Sequence, residues 1–146
     1  VDIPVAARRS SQDNNPPASF LRAVGFGRTS RLFHRAYGRK RFVETYTVGW
    51  GCTSQRAADS SCDPDAELTL SGGVNRDTCR GDSGGPLFER VGDERRLLAI
   101  TSRAASLEPG SCGGGGVYVR LDRLDDWLQR AMAQLRQITN TGAEPK

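Results

Sequence analysis

An all-β barrel or sandwich followed by one C-terminal helix is the fold class this 146-residue sequence predicts. Three observations carry the expectation. Short apolar, β-prone runs recur along the chain, Gly-rich and polar turns separate them, and the hydrophobic period becomes helical only near the end. A chain of this length is expected to form one domain and to bury about two-thirds of its unfolded surface.

The elements follow in order. The opening VDIPVAARRSSQ begins on Val1 and lacks the basic-then-apolar order of a targeting segment. Any signal peptide is therefore expected upstream, in a longer chain of which this is a piece. Ser10 to Ser19, SSQDNNPPAS, reads as a polar surface loop. Strands are expected in FLRAVGF (Phe20 to Phe26), RFVETYTVGW (Arg41 to Trp50), GPLFER (Gly85 to Arg90), RLLAITS (Arg96 to Ser102) and GVYVRL (Gly116 to Leu121). Leu124, Trp127, Leu128, Ala131, Met132 and Leu135 then fall at helical spacing, with Asp122 placed as the cap and Asp125 three residues on. The domain is expected to span residues 1–137, and 138–146 to be a flexible tail.

Charged residues make up 26% of the chain, and no apolar run approaches the ~20 residues of a membrane span. The net charge of +4 comes mainly from Arg28, Arg31, Arg35, Arg39, Lys40 and Arg41. Such a run can attract a polyanion, but a solvated loop is the more economical reading, so neither a nucleic-acid nor a membrane partner is expected. The four cysteines permit three pairings. A zinc site is the rival. The cysteines contain no C-x-x-C pair and His34 stands alone, so disulfides in an oxidising compartment are favoured, with no metal and no other cofactor.

The segment DTCRGDSGGPL, Asp77 to Leu87, carries the chemistry. Its GDSGG core satisfies the G-x-S-x-G pattern of α/β-hydrolases, but in those enzymes the histidine follows the serine, and none follows Ser83. A plain glycine-rich turn is the bland alternative. The whole segment, together with AITS at Ala99 to Ser102, GVYVR at Gly116 to Arg120 and DDWL at Asp125 to Leu128, in that order, resembles the trypsin-like serine proteases over roughly Val1 to Gln137. The resemblance implies the second Greek-key β-barrel of a double-barrel protease. It makes Ser83 the nucleophile, puts the amides of Gly81 and Ser83 in the oxyanion hole, and gives Asp82 the ion pair with the amino terminus freed by zymogen cleavage. VDIP does not resemble an activated start, so Val1 is not expected to be that terminus.

A serine nucleophile needs a histidine base and a carboxylate to orient it. By the same resemblance, AVGFG at Ala23 to Gly27 is the family's V-x-G-W-G strand end, in preference to the literal GWG at Gly49 to Gly51. His34 then falls in the exposed loop after it and is not the base. VDIPVAA resembles the segment leading out of the first barrel, so the triad's other two members lie upstream. Asp2 and Asp13 have no histidine to orient.

The resemblance also assigns a substrate pocket. Asp77, six residues before Ser83, matches the carboxylate at the pocket base that selects Arg or Lys. Thr78, Ser102, Ala104 and Gly116 join it, Gly116 as an open wall position. Arg103 and Ala104 stand where Trp-Gly is usual; Arg103 is expected to add positive charge at the mouth and Ala104 to narrow it. Cys79 and Cys112 match the bridge bracing the pocket walls. The family's other cysteine in this half is replaced near Leu70, so Cys52 is expected to pair locally with Cys62. The expected function is peptide hydrolysis after Arg or Lys through an acyl-enzyme on Ser83, in a secreted, extracellular or periplasmic enzyme acting on peptide or protein substrates, with an N-terminal barrel supplying His and Asp. The alternative is a catalytically silent binding module.

Overall fold

The computed structural model describes residues 21–29, 37–45, 47–50, 52, 61–70, 76–105 and 112–141. These form strands β1 (Leu21–Gly25), β2 (Arg41–Thr45), β3 (Thr47–Trp50), β4 (Glu67–Leu70), β5 (Pro86–Val91), β6 (Glu94–Ala104) and β7 (Gly116–Arg120). A 3-10 turn, Leu121–Arg123, leads into helix α1, Asp125–Thr141. Among the described residues no helix is long and apolar enough to cross a membrane.

All pairings are antiparallel, in one sheet of order β2-β1-β5-β6-β7-β4-β3. The strands at the two ends, β2 and β3, are consecutive in the chain and a single residue apart. The polypeptide thus joins both edges of the sheet, and it closes as a barrel. Closure needs strongly bent strands, and register shifts supply the bends between Leu87 and Phe88 and between Thr101 and Arg103.

The barrel interior is packed by Leu21, Ala23, Leu68, Leu70, Leu87, Leu98, Ala99 and Tyr118, with Val43 against them. Period-two alternation explains most of this: Leu21 and Ala23 point inward from β1 while Arg22 between them is less buried. Strand β4 breaks the rule, because all four residues of ELTL are buried, and this strand was not expected from the sequence. Leu70 is 3% exposed and fills core volume.

Two expectations at the C-terminal end are corrected. Asp122 does not cap α1. It lies in the 3-10 turn, buried, where Arg120 donates to it from Nε (3.0 Å) and Nη2 (2.6 Å). A buried guanidinium demands a carboxylate more strongly than a helix start does. Helix α1 also continues to Thr141, beyond the expected boundary at residue 137.

Candidate active site

The segment carrying Ser83 lies between β4 and β5 in the chain, and its shape comes from glycine. Gly81 and Gly84 have φ of 93° and 82°, in the left-handed region that a side chain disfavours. Between them Ser83 is exposed. The turn is stitched to β6 by Gly84 N to Thr101 O (2.8 Å) and Thr101 N to Gly85 O (2.9 Å), and closed on itself by Gly85 N to Asp82 O (2.9 Å). Ser83 Oγ donates to the carbonyl of Ser102 at 3.2 Å. Among the described residues, no acceptor engages the amides of Gly81 or Ser83.

Asp82 ties this turn to the end of β1. Its Oδ1 accepts from Gly27 N at 2.7 Å and its Oδ2 from Cys79 N at 2.8 Å. A Cβ on Gly25 would lie 2.0 Å from Asp82 Oδ1, and one on Gly27 2.6 Å away, so the approach requires both glycines. Arg28 N to Arg80 O (2.9 Å) extends the seam. This puts AVGFG, the register preferred from sequence, beside the nucleophile turn, while β3 with Trp50 pairs with β4. Val1, Asp2, Asp13 and the one histidine, His34, lie outside the described residues.

Asp77 occupies a second cluster. Its Oδ2 accepts from Gly113 N (3.0 Å) and Gly115 N (2.9 Å), and its Oδ1 from Thr78 N (2.8 Å). Burial pushes its carboxyl above the usual range, and the three amides pull it part of the way back. The Thr78 hydroxyl is 3.0 Å from the Tyr118 hydroxyl. Tyr118 is fully buried, and burial pushes its phenol well above its ordinary range, so it stays neutral. A Cβ on Gly116 would come within 2.8 Å of the Tyr118 ring. Gly116 is therefore required by Tyr118. The bridges Cys79–Cys112 and Cys52–Cys62 both form as expected, and the first holds the 112–115 loop, whose amides meet Asp77, against the nucleophile segment.

Strand β6 joins the two clusters. Its pairing with β5 starts at Ile100, opposite Pro86, whereas its pairing with β7 runs on to Ala104 opposite Gly116. The stretch Ser102 to Ala104 thus has no β5 partner and, among the described residues, runs past Ser83 as a strand edge. Arg103 on this edge is not the isolated cation the sequence suggested. Its Nη1 and Nη2 donate to Glu67 Oε1 and Oε2 at 2.6 and 2.8 Å, and Nη2 also donates to Ser61 O at 2.9 Å. The Arg103 guanidinium holds the Glu67 carboxyl below the usual range, outweighing burial, which pushes it up.

Sequence reasoning missed three contributors. Glu67 sat in an unrecognised strand, and Tyr118 was read only as part of the GVYVR strand, although it is buried in the core. Tyr37 packs on Gly81: a Cβ there would lie 2.6 Å from Tyr37 Cε1. Arg28 caps the Tyr37 ring at 5.1 Å, and Gly38 N donates to Phe26 O at 2.9 Å. A tyrosine in a basic loop carries no pattern that would have marked it.

Comparison with known proteins agrees with this geometry. The chain matches the Trypsin family profile over residues 3–128. It is 29% identical to the complement C1s subcomponent of Sus scrofa over 136 residues, 90% of this chain and 20% of that protein. It is 44% identical over 63 residues to the CLIP domain-containing serine protease B14 of Anopheles gambiae, 42% of this chain and 16% of that protein. Against phenoloxidase-activating factor 1 of Holotrichia diomphalia the identity is 30% over 115 residues, 75% of this chain and 29% of that protein. The chain spans no more than 29% of the length of these relatives.

Proposed function

This chain belongs to the trypsin family of serine proteases, and we propose that it is the nucleophile-bearing half of a secreted serine endopeptidase that cleaves after Arg or Lys. The observation that carries the reading is the exposed Ser83 on a turn whose Gly81 and Ser83 amides are unengaged among the described residues.

In this reading Ser83 Oγ releases its bond to the Ser102 carbonyl, gives its proton to a histidine, and attacks the scissile carbonyl. The carbonyl oxygen becomes an anion held by the two amides. Each such donor contributes about 3 kcal/mol in the transition state. As the intermediate collapses, the histidine passes that proton to the leaving amine, and the acyl-enzyme that remains is hydrolysed by water. Substrate extends as an added strand along the Ser102 to Ala104 edge, and its basic side chain reaches Asp77. Asp77 keeps accepting its three amides, whose donation stabilises the carboxylate that a guanidinium needs. The histidine and its orienting aspartate come from a barrel encoded upstream, since His34 is assigned to the loop after Gly27.

The test is fluorophosphonate labelling. The full-length protein is expected to label at Ser83 and the isolated 146-residue chain not to. Labelling of neither identifies a catalytically silent binding module; rapid labelling of the isolated chain overturns the placement of the triad.

A further inference from the structure

The residue following Ser102 is a cation, in a place where a cationic substrate side chain is meant to pass. Arg103 pairs with Val117, and Ala104 with Gly116, on the strand edge between Ser83 and the loop whose Gly113 and Gly115 amides hold Asp77. Its Nη1 also reaches Ser102 Oγ at 3.3 Å. An uncompensated guanidinium on this edge would repel an incoming Arg or Lys side chain.

The fold answers this charge from the other side of β7. Glu67, on β4, is 7% exposed and turns both carboxylate oxygens to the guanidinium. Its orientation is fixed in turn, because Oε2 also accepts from Asp63 N at 2.9 Å. The Ser61 carbonyl holds the guanidinium from a third direction. This fork-to-fork arrangement fixes the plane of Arg103 as well as its charge.

We propose that Glu67 is a specificity-determining residue: by holding Arg103 in a bidentate pair it keeps the rim between Ser83 and Asp77 electrically neutral, which lets a basic side chain enter. The inference rests on the reading of the protein as a protease selective for basic residues. Glu67 touches neither substrate nor Ser83; it acts through Arg103. Removing the carboxylate shifts the charge beside the rim by one positive unit, and the interaction of like charges across a solvated mouth corresponds to about a 3- to 10-fold loss for a cationic substrate at low salt.

The experiment is a charge series in the full-length protein: wild type, Glu67→Gln, Arg103→Gln and the double variant. Two readouts are taken, the ratio of kcat/KM on Arg and Leu peptides and the calorimetric affinity for benzamidine, a small cation that tests the pocket without requiring catalysis. Glu67→Gln is expected to lower both by about 3- to 10-fold, and the loss is expected to shrink at high salt. The double variant is expected to return to the wild-type values, because the rim is neutral again. Arg103→Gln is expected to equal or exceed wild type.

Four equal ratios overturn the inference, as does a double variant no better than Glu67→Gln, which would mean that the pair matters only for shape. If Glu67→Gln does not fold, the comparison of Arg103→Gln with the double variant decides, since they differ by the same single charge. A wild-type protein that fluorophosphonate does not label overturns the protease reading instead, and the benzamidine series still decides the role of Glu67.

Discussion

Asp82 Oδ1 accepts a hydrogen bond from the amide of Gly27 at 2.7 Å, across 55 residues of sequence. One carboxylate thereby couples the end of β1 to the turn that presents Ser83. Its two oxygens are both used, and the backbone around them is built to let it in.

Gly25→Ala is the sharpest test of that coupling. Gly25 has no unusual φ, so its substitution is a pure test of space, and the new methyl would meet Asp82 at 2.0 Å. A loss of about 3 kcal/mol in urea-induced unfolding is expected. An unchanged midpoint would mean that Asp82 does not lie against β1.

Asp77→Ser in the full-length enzyme is expected to lower kcat/KM on Arg peptides by two to four powers of ten, roughly 3 to 5 kcal/mol. Slow cleavage after Leu should be nearly intact. Because the Asp77 carboxyl titrates above the usual range, the Arg-to-Leu preference is expected to fall on acidification at a higher pH than for an ordinary aspartate, as the protonated group loses its charge. The ratio cancels the titration of the histidine base. Equal losses on both peptides would show that Asp77 serves its loop alone.

Glu67 gives a pH dependence of the opposite sense in stability. Its folded carboxyl titrates below its ordinary value, so it binds protons more weakly folded than unfolded. The stabilisation is present above the ordinary glutamate range and is lost as pH falls through the folded value. Wild type should therefore exceed Glu67→Gln in thermal stability at neutral pH, with the gap closing in strong acid. A gap that is constant across that window would assign the loss to packing.

Asp122 gives the buried Arg120 guanidinium a two-point carboxylate partner, and removing it takes that partner from a buried charge. Asp122→Ala is expected to cost about 3 to 5 kcal/mol, whereas replacing both by apolar residues of similar volume should recover most of the loss. Chemical denaturation of both variants measures this. A mild single variant would show that the Arg120 charge is met without Asp122.

How far the sequence carried the structure differs from residue to residue. The nucleophile turn, the strand ending in AVGFG and both disulfide partners were legible because each depends on a motif or a local glycine requirement. Strand β4 was not, since ELTL is buried on both faces and shows no alternation. Its loss hid Glu67, and without Glu67 the charge on Arg103 looked uncompensated. Asp122 was misassigned for a related reason: a cap and a buried ion-pair partner demand the same residue, and only the fold shows that Arg120 beside it is 1% exposed.

Closure of the barrel also sets an order of assembly. The β5 and β6 hairpin turns at Gly92 and Asp93 and can form within about 1–10 μs, but Leu21 must find Glu89 and Leu68 must find Tyr118 before the sheet closes. Pairings so distant in sequence place such folds in the millisecond-to-second range. The Ser83 turn draws on Thr101 from the early hairpin and on Gly27 from the late strand. Its geometry is therefore expected to set only with the last pairings, so a half-folded chain does not yet hold Ser83 in its turn.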